Sequence, residues 1–111
     1  MRFFNTNEER KGTCYHEFVP GAWDGKTFWR QDSLYLYDEI LDDCPAFVRT
    51  IRAVIPDYDP YGITVIGREE WEAIGRLAAE SGGMLAELYA EADAWATAVL
   101  REQPCFTILG I

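Results

Sequence analysis

The spacing of apolar residues changes twice along this chain, and that double change restricts the fold more than any other feature. Residues 13–19 alternate, with Cys14, His16 and Phe18 on one side and Tyr15, Glu17 and Val19 on the other. That is the two-residue period of a strand. Ile40, Leu41, Cys44, Phe47, Val48, Ile51, Val54 and Ile55 instead recur at three- and four-residue steps, which makes one apolar stripe on a helix. The helical spacing returns in Leu85, Leu88, Tyr89, Ala92, Trp95, Ala96 and Val99, and Pro104 stops it. Residues 105–111 are then apolar and β-prone again. Left exposed, such a tail would invite aggregation, so it is expected to pair with the sheet or pack on the core. Strands, then helices, then a strand predict an α+β domain: an antiparallel sheet of four or five strands with three helices on one side.

Proline and glycine place the boundaries. Pro20-Gly21 breaks the first strand, Asp24-Gly25 is a hairpin-type turn signal, and residues 27–37 resume extended character. Residues 2–5 predict a short edge strand. Proline is disruptive inside a helix and comfortable at its first position. Pro45 therefore predicts an opening turn from Asp38 and a main helix starting at the proline, with acids in the opening turn favouring the positive helix end. Pro56 ends that helix. Asp59-Pro60-Tyr61-Gly62 carries the residues a type I turn prefers, and residues 62–66 read as a β-branched strand. Gly67 is placed to cap a helix with Trp71, Ile74 and Leu77 inward, and Ser81-Gly82-Gly83 joins it to a last helix at 84–102, with Glu87, Glu91 and Arg101 facing water. There is no repeat and no linker, and 111 residues fit one domain, 1–111.

Composition narrows the partners. The formal net charge is −9, from ten basic and nineteen acidic residues. Nucleic-acid affinity rests on neutralising phosphates with Lys and Arg, and anionic membranes repel the same surface, so neither is an expected partner. Three cysteines, Cys14, Cys44 and Cys105, have no paired spacing and predict reduced thiols in a cytoplasm. The N-terminal residues run straight into Glu8 and Glu9, with no apolar stretch of signal-peptide length.

Acidity concentrates beside aromatics. Asp38, Glu39, Asp42, Asp43, Asp57 and Asp59 stand against only Arg49 and Arg52 in that stretch, and Tyr35, Tyr37, Tyr58 and Tyr61 flank or interrupt them. Tyr anchors interfaces at low entropic cost, and acids around it steer a basic partner. A merely solvated helix face is the plain alternative. Cys14 and His16 share a strand side and could form a nucleophile–base pair or two metal ligands, but His16 is the only histidine and no further ligand spacing accompanies it. Asp57-x-Asp59 begins like a calcium loop, yet no acid follows until Glu69. Paired carboxylates for glycoside hydrolysis would need a cleft that so short a chain seldom encloses. No dinucleotide, P-loop, HExxH or GxSxG pattern occurs. The expectation is a non-enzymatic protein-binding domain without cofactor or metal.

The run Trp29-x-x-Asp32-Ser33-Leu34-Tyr35-Leu36, the helix after it, Pro56-Asp57-Tyr58-Asp59-Pro60-Tyr61-Gly62-Ile63-Thr64 and Trp71 beyond resemble immunity proteins of bacterial polymorphic-toxin and contact-dependent growth inhibition loci, over roughly residues 29–77. The resemblance implies a cytoplasmic inhibitor that binds one cognate toxin domain and blocks its active site or substrate channel. Many such toxins are basic nucleases. It supplies no catalytic residues. On this reading Asp38, Glu39, Asp42 and Asp43 form one acidic edge, and Asp57, Tyr58, Asp59 and Tyr61 an adjoining loop. The alternatives are a small acidic subunit or adaptor of a larger assembly, and a thiol-dependent enzyme using Cys14 and His16.

Overall fold

Alternation and helical spacing resolve into nine elements in the computed structural model, which describes residues 1–110. They are β1 (Phe4–Asn5), β2 (Tyr15–Pro20), β3 (Leu34–Tyr37), α1 (Asp38–Asp43), α2 (Pro45–Val54), β4 (Ile63–Gly67), α3 (Arg68–Ser81), α4 (Gly83–Glu102) and β5 (Cys105–Leu109). The sheet is wholly antiparallel in the order β1-β3-β2-β5-β4. Residues 105–109 of the tail therefore become an inner strand between β2 and β4; Ile111 lies outside the described residues.

Strand register sorts the sheet into two faces. Phe4, Phe18, Leu34, Leu36, Ile66, Phe106 and Ile108 point to the helices and join Leu41, Phe47, Ile51, Trp71, Ile74, Leu88 and Ala96 in one core. Aromatic rings fill its centre, with Phe18 stacked on Phe106 at 6.0 Å and Trp71 edge-on to Phe106 at 5.2 Å. Pro45 opens α2 at its first position, as its missing N–H allows. Leu77, expected inside, is instead an exposed residue of α3. Glu91, expected in water, turns its carboxylate onto the backbone N–H groups of Arg2, Phe3 and Phe4 at 2.7–3.0 Å.

The second face is covered over much of its width. Residues 21–33 do not continue as strand. They form a loop folded back onto Glu17 of β2 and Tyr35 of β3, and on this face Tyr15, Glu17, Val19, Tyr35, Thr107 and Leu109 are all buried. Trp29 stacks on Tyr35 with centroids 5.9 Å apart, and the Arg10 guanidinium caps Trp29 at 4.2 Å. Glu17 organises this loop from below. Its buried carboxylate accepts the backbone N–H of Trp29 at 2.8 Å and of Arg30 at 3.1 Å, and the Ser33 hydroxyl at 2.6 Å. Those bonds hold Trp29 in the left-handed region at φ 63°, which a bulky residue rarely adopts.

Candidate functional site

The acidic stretch is built by two prolines and by the hydrogen bonds that tie the loop after the second. Pro45 forces a break between α1 and α2, so α1 becomes a separate six-residue turn bearing Asp38, Glu39, Asp42 and Asp43. Pro56 ends extension beyond α2, and residues 56–62 fold into a loop. The Asp59 carbonyl there accepts the N–H of Gly62 at 2.9 Å, and the Asp59 carboxylate accepts that of Tyr61 at 2.9 Å. The Arg52 Nε donates to the Tyr58 carbonyl at 2.9 Å and ties the loop to the end of α2. At the far end Gly110 N–H bonds the Gly62 carbonyl at 2.7 Å.

These prolines and bonds bring part of the expected constellation together. Asp38 and Asp42 of α1 line one groove of about 300 Å³ with Tyr61 of the loop, and Arg49 and Arg52 project into the same groove. Glu39, Asp42, Asp43, Asp57 and Asp59 are exposed, and Tyr61 is 68% exposed. Glu39 and Asp43 do not line the groove.

Two expected members have other tasks. Tyr58 is a core residue, not a surface anchor: it is 3% exposed and packs within the main cluster, and burial raises its phenol to about 12. Tyr58 was expected in the partner-binding loop with Asp57, Asp59 and Tyr61, but the turn directs its ring into the core. Asp38 is half-buried, because its carboxylate meets the Nε2 of His16 at 2.8 Å. Asp38 lies opposite Cys14 where β2 and β3 begin to part, and its backbone N–H bonds the Cys14 carbonyl at 2.9 Å.

Cys14, His16 and Asp38 thus share one end of the sheet without forming a relay. The Cys14 residue is exposed, whereas His16 is 1% exposed and its Nδ1 is sealed in the interior with no hydrogen-bond partner among the described residues. No hydrogen bond joins the thiol to the ring. Among the described residues no three His, Cys, Asp or Glu side chains group as metal ligands would, and no helix is long and apolar enough to cross a membrane.

A larger groove lies elsewhere. A groove of about 580 Å³ between α3 and α4 has Trp71, Gly75, Tyr89 and Asp93 along it and Arg68, Arg76 and Arg101 at its rim. Tyr89 stacks on Trp71 at 4.4 Å and its hydroxyl donates to the Trp71 carbonyl at 3.1 Å. The Trp71 indole N–H donates to Asp93 at 2.8 Å, and the Arg68 guanidinium donates to the Leu100 carbonyl. Sequence reasoning missed this groove. Its one visible signal was Gly75, a helix-interior glycine in an otherwise strong helix former.

No family model matches the chain, and no curated protein and no solved structure matches it.

Proposed function

We propose that this chain is an immunity protein: it binds a cognate basic toxin domain in the cytoplasm and blocks it without chemistry of its own. The observation that carries the reading is the convergence of α1 and the 57–61 loop on one groove, where Asp38, Asp42 and the exposed ring of Tyr61 stand together. Asp57 and Asp59 extend the negative rim along the loop. Lys or Arg of the toxin would pair with these carboxylates through charge-assisted hydrogen bonds, and Tyr61 would supply the apolar anchor. Arg49 and Arg52 give the groove an internal positive spot, so a toxin whose basic patch includes an acid fits it better than a uniformly basic one. Three free cysteines support action in a reducing compartment.

The test is calorimetric titration with the cognate toxin domain, sought as the variable C-terminal domain of a large secreted protein encoded beside this chain. Removing one member of a buried charge pair costs about 2–5 kcal/mol of affinity. Asp42→Ala, which removes a carboxylate lining the groove, is expected to weaken binding at least about 30-fold, whereas Asp57→Ala, at the rim, changes mainly the on-rate. Unchanged affinity for both variants would sink the proposal.

A further inference from the structure

Open sheet edges are templates for a further strand, and folded proteins blunt them with short strands, charges, proline or a cover. This chain guards one edge and leaves the other bare. On the guarded side β1 has only two residues, and the Glu91 carboxylate occupies the N–H groups of Arg2, Phe3 and Phe4. On the bare side β4 has five residues, Ile-Thr-Val-Ile-Gly, with no charge and no proline.

The register says which groups are free. Gly110 N–H bonds the Gly62 carbonyl, so Gly62, Thr64 and Ile66 direct their backbone toward β5, and Ile63 and Val65 direct theirs away from the sheet. The outward N–H of Gly67 is already taken by Glu70 Oε1 at 2.9 Å, which closes that end of the edge. The Ile63 and Val65 side chains stand on the helix-free face, 61% and 53% exposed, beside their buried β5 neighbours Leu109 and Thr107. Tyr61, Asp59 and Asp57 lie immediately before them in the chain.

We propose that β4 accepts an extended segment of the partner as a sixth strand, with apolar side chains against Ile63 and Val65 and Lys or Arg at its ends. This deepens the proposed function and rests on it for the basic character of the partner. Charge decides the occupant. In a symmetric antiparallel pair of two β4 strands, Ile63 faces Val65 of the other copy, and the Asp57–Asp59 turn of each copy comes up against Glu69 and Glu70 of the other. Acid would meet acid at both ends in a chain already at −9. A strand with cationic ends meets the same carboxylates favourably. Main-chain bonds to Ile63 and Val65 provide the grip, and the flanking acids select the sequence.

The probe is a nine-residue synthetic peptide of alternating valine and threonine with lysines at both ends, compared with the same peptide ended by glutamates. Binding is read by calorimetry and by amide NMR shifts and hydrogen exchange. The lysine peptide is expected to slow exchange of the Ile63 and Val65 amides at least tenfold. Val65→Pro removes an outward N–H and leaves the ladder to β5 intact, and it should weaken peptide binding at least tenfold. Should that variant fail to fold, Ile63→Lys sets a cation on the edge and must do the same. Undiminished binding by the variant that folds, or no protection of Ile63 and Val65 by either peptide, overturns the edge site. A lysine peptide that shifts Asp42, Asp57 and Tyr61 but leaves the edge amides untouched overturns the sixth strand while the proposed function stands. Equal binding of the lysine and glutamate peptides overturns the cationic occupant and the acidic-rim reading with it. Sedimentation that finds a dimer dispersed by Val65→Pro overturns the choice of partner over a second copy.

Discussion

Gly75→Ala sets helix propensity against packing, and the geometry decides the sign. Gly75 lies inside α3, where alanine is favoured over glycine by roughly 0.8–1.0 kcal/mol. A Cβ built there would sit 2.4 Å from the Tyr89 hydroxyl oxygen, 2.5 Å from Cζ and 2.8 Å from Cε1. The ring must move by about 1 Å to reach ordinary carbon contact distance. It is held by the stack on Trp71 at 4.4 Å and by the hydrogen bond to the Trp71 carbonyl at 3.1 Å. The stack contributes about 0.5–1.5 kcal/mol and the hydrogen bond about 1 kcal/mol. Displacing the ring therefore loses roughly 1.5–2.5 kcal/mol, and the propensity gain offsets less than it. The net expectation is destabilisation of about 1 kcal/mol, a thermal midpoint lower by roughly 5 °C. Urea unfolding followed by tryptophan fluorescence measures it. In a Tyr89→Ala background the obstacle is gone, and the same Gly75→Ala change should stabilise by about 0.5–1 kcal/mol. The two backgrounds should thus differ by about 2 kcal/mol, a coupling well above the non-additivity of independent sites. If Gly75→Ala stabilises the protein with Tyr89 present, the ring yields freely and the account of the α3–α4 groove is wrong.

Other perturbations probe the parts that hold the candidate site. Glu17→Gln places an amide N–H₂ among the donors from Trp29, Arg30 and Ser33, and is expected to cost about 2–3 kcal/mol in urea unfolding, with faster amide exchange across residues 21–33. Gly110→Ala sets a Cβ 2.5 Å from the Pro60 carbonyl oxygen and 2.6 Å from the Tyr61 Cα, both backbone, so it should shift the amide resonances of residues 59–62 and cost about 1–3 kcal/mol. Burial raises the Tyr58 phenol from about 10 to about 12. The unfolded chain then releases that proton at lower pH than the fold does, so the contribution is intact below about pH 10 and is lost progressively between pH 10 and 12. Tyr58→Phe should make the fall in stability across that window shallower, leaving the share of Tyr35, whose phenol burial also raises to about 12, and an unchanged slope would contradict the burial.

The architecture was readable because period and punctuation agree. Pro45 and Pro56 bracket α2, Gly82-Gly83 separate α3 from α4, and the apolar stripes meet in one core, Leu77 excepted. What escaped the sequence is what depends on distant segments. Nothing local to residues 27–33 reveals that Glu17, ten or more positions earlier, will draw their N–H groups inward and convert an extended stretch into a loop. Aromatic content there reads as strand, and tertiary bonding overrides it. Tyr58 fails for a similar reason: a tyrosine between two acids in a loop reads as part of the binding surface until the turn directs its ring into the core. His16 was legible as a strand residue, but its partner Asp38 required the β2–β3 register. Of the eight side chains expected to form the acidic face, Tyr58 alone is turned into the interior, because only carboxylates and Tyr61 occupy positions the core does not need.

The rim and the open edge are one mechanical unit. β4 begins where the acidic loop ends, and Gly110 at the close of β5 touches both: its N–H holds Gly62, and its bare Cα lets the Pro60 and Tyr61 backbone approach more closely than any side chain would permit. A partner strand docked on Ile63 and Val65 would find Asp57 and Asp59 already fixed at its end, with little loop entropy left to lose. Rigidity set by the last strand of the chain therefore favours slow dissociation over mere attraction. Loosening that contact by Gly110→Ala should raise the off-rate of a bound basic strand more than it lowers the on-rate, since the net charge that steers encounter is untouched. Surface plasmon resonance with the lysine-ended peptide separates the two. A loss confined to the on-rate would show that attraction, not the fixed loop, governs the grip.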